Sequence, residues 1–357
     1  MFGRRQFGCA CRGTIVSYLR IATEEAFATP ELIQAYRDLL ARKGVDDPGF
    51  FALMGYHLTN PSERTRQITD RLQNVGERRI HDMDATGIAK QILSLTSPGV
   101  QIFPDAQFAT AMARSANDQL AEAIRKYPTR YAGLAAIAPQ DPQAAAKELE
   151  RGVRKLGLKG AIINSHTRGE YLSDQKFWPI FEAAEALGVP VYLHPNTPPP
   201  AMIQPFLESG LDGAVFGFAV ETGLHMLRIV TSGVFDRFPK LQIVTGHLGE
   251  GLPYWFFRID FMHGASVRAG RYECLKPLKR KVSDYLKENF YYTTSGMAWQ
   301  PPILYAQSVV GVDRVMYAMD YPYQFVPEEV KVTDELPISD ADKKTFYQSN
   351  AERVFAL

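Results

Sequence analysis

Glu24 follows the run YLRIAT, His194 follows VPVYL, His247 follows LQIVTG, and Asp320 follows RVMYAM. Each is a lone acidic or imidazole group at the end of a mostly apolar stretch of strand length. Such a stretch is what a parallel barrel strand looks like when its C-terminal tip carries chemistry rather than packing. An ionised carboxylate at the end of a buried strand is costly unless it is paired or bound to a cation. Two such carboxylates with two imidazoles therefore favour a shared divalent ion. A single strand-end histidine is ordinarily a packed core or surface group, and the argument rests on four tips converging.

The elements that must bring them together follow from the periodicity. Strand-length apolar runs recur at 18–24, 89–96, 131–138, 159–165, 189–194, 241–246, 289–295 and 314–319. Helical spacing fills the gaps, most clearly at 65–85, 105–127, 142–156 and 174–187. Glycines punctuate the returns, as at Gly157 and Gly188, where a helix ends just before the next strand. Eight βα units predict an α/β fold of the (β/α)8 TIM barrel type. The chain is about a hundred residues longer than the ~250 typical of that barrel. Insertions after strands 1 and 5 absorb the surplus: residues 28–64, expected as a loop with its own helix, and residues 196–240, which open on the stiff Asn196-Thr197-Pro198-Pro199-Pro200. No linker or long repeat divides the chain, so residues 18–357 read as one barrel domain.

Composition excludes several classes. With 46% hydrophobic and 22% charged residues over 357 positions, the chain is ordinary globular material. A net charge of +1 leaves no electrostatic footprint for nucleic acid or an anionic membrane surface. No run approaches the roughly eighteen apolar residues of a membrane span. Three cysteines, Cys9, Cys11 and Cys274, give no disulfide framework and suit a reducing cytoplasm. Arg4-Arg5 superficially matches a twin-arginine export signal, but Arg12 and Gly13 interrupt the apolar stretch such a signal needs. Residues 1–17 are thus expected to be a disordered N-terminal extension or an upstream start. The partners expected are small molecules and copies of the same chain.

Five motifs together carry a family resemblance: Glu24-Glu25-Ala26-Phe27, His194-Pro195, Gly246-His247-Leu248-Gly249-Glu250, Asp320-Tyr321-Pro322, and the closing Asn350-Ala351-Glu352-Arg353-Val354-Phe355. On these the chain resembles the amidohydrolase superfamily, in its branch of non-hydrolytic aromatic acid decarboxylases, over residues 18–357. Hydrolytic members open the first strand with His-x-His, and here those positions are Glu24 and Ala26. The resemblance implies Glu24, His194 and Asp320 as ligands of one divalent metal, with open positions. An oxygen-rich set with one imidazole favours Mn2+, with Zn2+ the alternative. Glu25 is expected on the opposite face of its strand, as a helix-cap or surface-pairing group.

The implied reaction is non-oxidative loss of a carboxylate ortho to a phenol, from 5-carboxyvanillate to vanillate in lignin-derived aromatic catabolism. Asp320 is the candidate proton donor to the ring carbon. The resemblance puts His247 beside the metal to hydrogen-bond or shuttle protons, with Glu250 orienting it. It also promotes Arg64 and Arg258 to clamps for the anionic substrate. Tyr323 and His57 are expected to line the pocket, and His166 is a further possible contact. The aromatic run 254–257 reads as helix packing or a subunit interface, in keeping with the homodimers or homotetramers the resemblance implies. The competing functions are a related dihydroxybenzoate decarboxylase, a metal-dependent hydrolase of a lactone or amide, and a silent barrel that only binds metal or aromatic acids.

Overall fold

The computed structural model describes residues 18–357. The expected N-terminal extension, with Cys9, Cys11 and the Arg4-Arg5 pair, lies outside the described residues. Among the described residues no helix is long and apolar enough to cross a membrane.

Among the described residues nine short strands form the barrel: β1 (Ile21–Phe27), β2 (Lys90–Leu95), β3 (Tyr131–Gly133), β4 (Ala135–Ala136), β5 (Ala161–Asn164), β6 (Val191–His194), β7 (Ile243–Thr245), β8 (Phe290–Thr293) and β9 (Val315–Met316). All pairings are parallel and run in chain order. β3 and β4 are the two halves of the expected third strand. Leu134 still donates its amide to Leu93 on β2 (2.9 Å), while Ala135 donates to Gly160 beside β5 (2.8 Å). The other seam is closed by Thr23 N–H to Tyr317 O (3.1 Å) and Ala26 N–H to Tyr321 O (2.7 Å). These backbone bonds complete the ring that the eight βα units predict. Apart from the acidic centre of β1, the strands are mostly Val, Ile, Leu, Tyr, Phe and Ala, buried throughout β1, β5, β7 and β8, as expected for strands covered on both faces.

Three expectations change. The first strand starts and ends later than the apolar run suggests, so Glu24 sits in its middle and not at its tip. The first insertion carries more helix than foreseen: Pro30–Arg42, Pro48–Thr59 and the start of Glu63–Gln73. Each has a sequence cause, since Thr29, Asp47 and Ser62 accept the amides of Leu32, Phe50 and Thr65, and proline occupies the first turn of the first two. The helical stretch at 65–85 is two helices, broken around Gly76 before Glu77–Ala85. The second insertion holds the helices Gln204–Ser209, Gly217–Thr231 and Val234–Arg237.

Candidate active site

Glu24 is 3% exposed, and one of its carboxyl oxygens is fully engaged. Oε2 accepts from the hydroxyls of Tyr192, Thr293 (3.0 Å) and Ser295. Tyr192 lies two residues before His194 on β6, and Thr293 and Ser295 lie two apart at the end of β8. The period of two turns each pair to the same side. Gly246 makes room for this corner, because a Cβ there would stand 2.5 Å from Glu24 Oε2.

The other oxygen, Oε1, is buried without a hydrogen-bond partner. His194 Nε2 faces it at 3.3 Å. His194 donates its Nδ1–H to the Pro195 carbonyl (2.8 Å), and burial holds its pKa below the usual histidine range. Nε2 therefore carries a lone pair. Burial would raise the Glu24 pKa, but the His247 charge and the hydroxyl bonds from Ser295 and Tyr192 act to lower it below the usual glutamate range. Two lone pairs that face each other inside a protein repel, unless a cation lies between or beside them. The donor set thus fits a divalent ion. Among the described residues no group of three or more His, Cys, Asp or Glu side chains already stands together as a finished metal cluster. Glu24 and His194 form a poised pair, with Asp320 on the wall of the same cavity.

His247 follows β7 in a left-handed stretch (φ 52°). Its Nδ1 meets Glu250 Oε1 at 2.9 Å, and its Nε2 lies 3.9 Å from Glu24 Oε1. Burial works against the charged imidazole, but Glu250 and Glu24 overcome it and raise the pKa to about 10. Asp320 follows β9, also left-handed (φ 69°). Burial first, then the Glu24 charge, pushes its carboxyl up to about 8, opposed by His247. A dication on that carboxyl would draw the value down again. His247 and Asp320 meet over Gly296, where an added Cβ would stand 3.5 Å from His247 Cδ2 and 3.6 Å from Asp320 Oδ2.

The cavity between these groups is about 100 Å³, lined on its other sides by Leu53, His57, Ser97, Ala214, Phe218 and Tyr323. Tyr323 bonds Thr96 Oγ1 (2.6 Å) and packs edge-on against His57, whose pKa is lowered by burial and by Arg64. His57 Nδ1 has no partner. Arg64 is exposed and donates to the Tyr323 carbonyl (3.0 Å), which sets it at the rim. A larger surface cleft beside Arg151 and Arg154 offers no such seat, because those cations are paired with Asp118, Glu148 and Glu150.

Two expected residues lie elsewhere than foreseen. Arg258 is exposed on the helix Leu252–Arg268 and does not line the cavity of its own chain. The helix turns it outward with its neighbour Phe257, which is 85% exposed. Glu25 is not a surface or capping group. It is fully buried and accepts the backbone amides of Met319 (2.9 Å) and Tyr321 (3.2 Å) and the side-chain amide of Gln91 (3.3 Å). His166 ties two loops together, donating to the Thr197 carbonyl after β6 (2.9 Å) and accepting from the Gly169 amide of its own loop (3.0 Å). The bracing hydroxyls of Tyr192, Thr293 and Ser295 went unread in the sequence. Counting back two from His194 would have found the first.

Comparison with known proteins identifies the family. The family model described as Amidohydrolase matches residues 57–357. The chain is 55% identical to the 5-carboxyvanillate decarboxylase of Novosphingobium aromaticivorans DSM 12444, a structure solved with manganese and 4-hydroxy-3-methoxy-5-nitrobenzoic acid. The TM-score is 0.94, covering 97% of this chain and 98% of that one. The 5-carboxyvanillate decarboxylase of Sphingomonas paucimobilis is 39% identical, with TM-score 0.89 over 96% of this chain and all of that one (100%). The gamma-resorcylate decarboxylase of Polaromonas sp. (strain JS666 / ATCC BAA-500) is 37% identical over 345 residues, 95% of this chain and 98% of the relative. A barrel with a poised carboxylate–imidazole pair, matched over nearly its whole length by such relatives, belongs to the amidohydrolase family.

Proposed function

We propose that the protein is a metal-dependent, non-oxidative decarboxylase of an ortho-carboxyphenol, with 5-carboxyvanillate as substrate and vanillate and carbon dioxide as products. The observation that carries the reading is the contact of Glu24 Oε1 with His194 Nε2 at 3.3 Å, two acceptors beside a cavity with an apolar far wall. Glu24, His194 and Asp320 would hold the cation, and manganese suits an oxygen-rich set. When bound, a divalent ion supplies Lewis acidity toward the charge that builds on the ring oxygen.

The remaining work falls to the chain's own groups. Leu53, Phe218 and Tyr323 seat the ring and exclude water. Asp320 delivers its proton to the ring carbon that bears the carboxylate. The carbon–carbon bond then breaks, its electron pair returns to the ring, and carbon dioxide leaves. Asp320 is left ionised, and His247, held by Glu250 and converging on the same glycine, is placed to return a proton. Arg64 at the rim attracts the anionic substrate, and His57 meets a ring substituent.

The hydrolase alternative is disfavoured because Glu24 and Ala26 stand where hydrolytic members carry His-x-His. A dihydroxybenzoate remains the second substrate, supported by the 37% identity to the gamma-resorcylate enzyme. The exposed helix face of Tyr254, Trp255, Phe257 and Phe261 supports a homodimer or homotetramer, and the cysteine usage supports a cytoplasmic enzyme. The test is carbon dioxide release from 5-carboxyvanillate and from 2,6-dihydroxybenzoate, before and after exhaustive chelation and manganese return. The reading requires turnover that falls on chelation, returns with manganese, and favours carboxyvanillate. Full turnover by the chelated protein refutes it.

A further inference from the structure

Asp320 is a non-glycine residue in the left-handed region, in the turn that follows the two-residue strand β9, and such a conformation persists only where its surroundings fix it. Backbone bonds from Ala26 N–H to the Tyr321 carbonyl (2.7 Å) and from Gln324 N–H to the Asp320 carbonyl (2.9 Å) hold the turn, and the carboxyl of Glu25 grips both flanks of Asp320: its Oε1 takes the amide of Met319 and its Oε2 that of Tyr321. A third donor, Gln91 Nε2, holds Glu25 from β2 at 3.3 Å, and the Gln91 carbonyl is in turn held by Arg79 Nη1 at 3.3 Å. Arg79 is buried, donates to the Ala26 carbonyl (2.6 Å) and lies over the Tyr321 ring at 4.4 Å. One buried array therefore grips the backbone before and after Asp320 and leaves its side chain free.

We propose that Glu25 is the positioning residue of Asp320: its two oxygens clasp the flanking amides and aim the proton-donating carboxyl at the substrate. The inference rests on the reading of Asp320 as proton donor. Glu25→Gln is the sharp test, because glutamine keeps one acceptor oxygen and turns an N–H toward the second backbone amide. The variant is expected to fold with an unchanged circular dichroism spectrum and to lose about 10- to 100-fold in kcat, the scale of a misplaced catalytic group, with KM within about threefold.

Manganese affinity, titrated directly, supplies the second readout. If Glu25 acts through Asp320, Glu25→Gln weakens manganese binding in the wild-type background and changes it by less than about twofold in the Asp320→Asn background. Should Glu25→Gln fail to fold, Glu25→Asp, which keeps the carboxyl group and shortens the reach, is held to the same measures. Wild-type kcat and manganese affinity in the folded variant overturn the proposal, as does an equal loss of affinity in both backgrounds. Wild-type turnover by Asp320→Asn alone removes the reading of Asp320, and is distinguishable because it does not depend on Glu25.

Discussion

Glu24, buried behind the His194 and His247 that line the cavity, and Asp320 on its wall are held in opposite ways. Glu24 belongs to the middle of β1, and its side chain is gripped: three hydroxyls saturate Oε2 and leave only Oε1 to face His194. Asp320 belongs to a turn beyond β9, and its backbone is gripped through the flanking amides that Glu25 accepts. The first arrangement fixes the direction of a lone pair, which suits a ligand. The second fixes where the side chain starts, which suits a group that must be aimed at the substrate. Two carboxylates of similar chemistry thus receive different duties from what surrounds them.

Exchanging or weakening each grip tests that contrast. The largest effect is expected for Asp320→Asn, with kcat for decarboxylation falling about 10²- to 10⁴-fold, as loss of a proton-transfer group does. Steady-state carbon dioxide release measures it, and a loss under tenfold would assign the proton to another group. Glu24→Ala comes next, with manganese affinity falling at least about 100-fold, more than removal of a supporting hydrogen bond costs. Metal content after gel filtration reads this out, and retention of stoichiometric manganese would separate Glu24 from the metal.

Ser295→Ala and Tyr192→Phe loosen Oε2 without replacing a proposed ligand, and each is expected to cost about 10- to 100-fold in metal affinity or turnover. Indifference in both would show that the bracing of Glu24 is incidental.

A third carboxyl extends the contrast, because Glu221 has no such grip. Neither of its oxygens finds a hydrogen-bond partner at full geometry, though the Ser165 and Tyr171 hydroxyls act to lower its pKa, and burial pushes it up to about 8 from an ordinary 4.5. The folded protein therefore holds a proton that the unfolded chain releases above about pH 4.5. This group's stabilisation is complete below that pH and is lost as pH rises through 8, by an amount on the order of a few kcal/mol. Urea midpoints at pH 5, 6.5 and 8 should fall more steeply in the wild type than in Glu221→Gln, and parallel slopes would mean that the carboxyl is not protonated in the fold.

Much of the barrel was legible because burial on both faces forces strands to be short apolar runs, and the residues that end those runs stand out. His194, His247 and Asp320 were found in this way. Glu24 was found as a residue but misplaced along its strand, since Tyr18-Leu19-Arg20 continues the apolar pattern without joining the sheet. The helices of the first insertion were under-read although Thr29-Pro30 and Asp47-Pro48 are ordinary start signals. Arg258 was promoted on family likeness, and a helix that turns it outward keeps it from the cavity of its own chain.

What the sequence by itself determined is the alternation of strand and helix and the chemical types that arrive at one mouth of the ring, because periodicity and residue identity are local properties of the chain. What only the tertiary structure decided is which oxygen of Glu24 is left bare and which amides Glu25 grips. Backbone N–H groups are the same at every residue but proline and leave no mark in a sequence. Residues 294 and 296 apart must fold into contact before one carboxylate can choose among them.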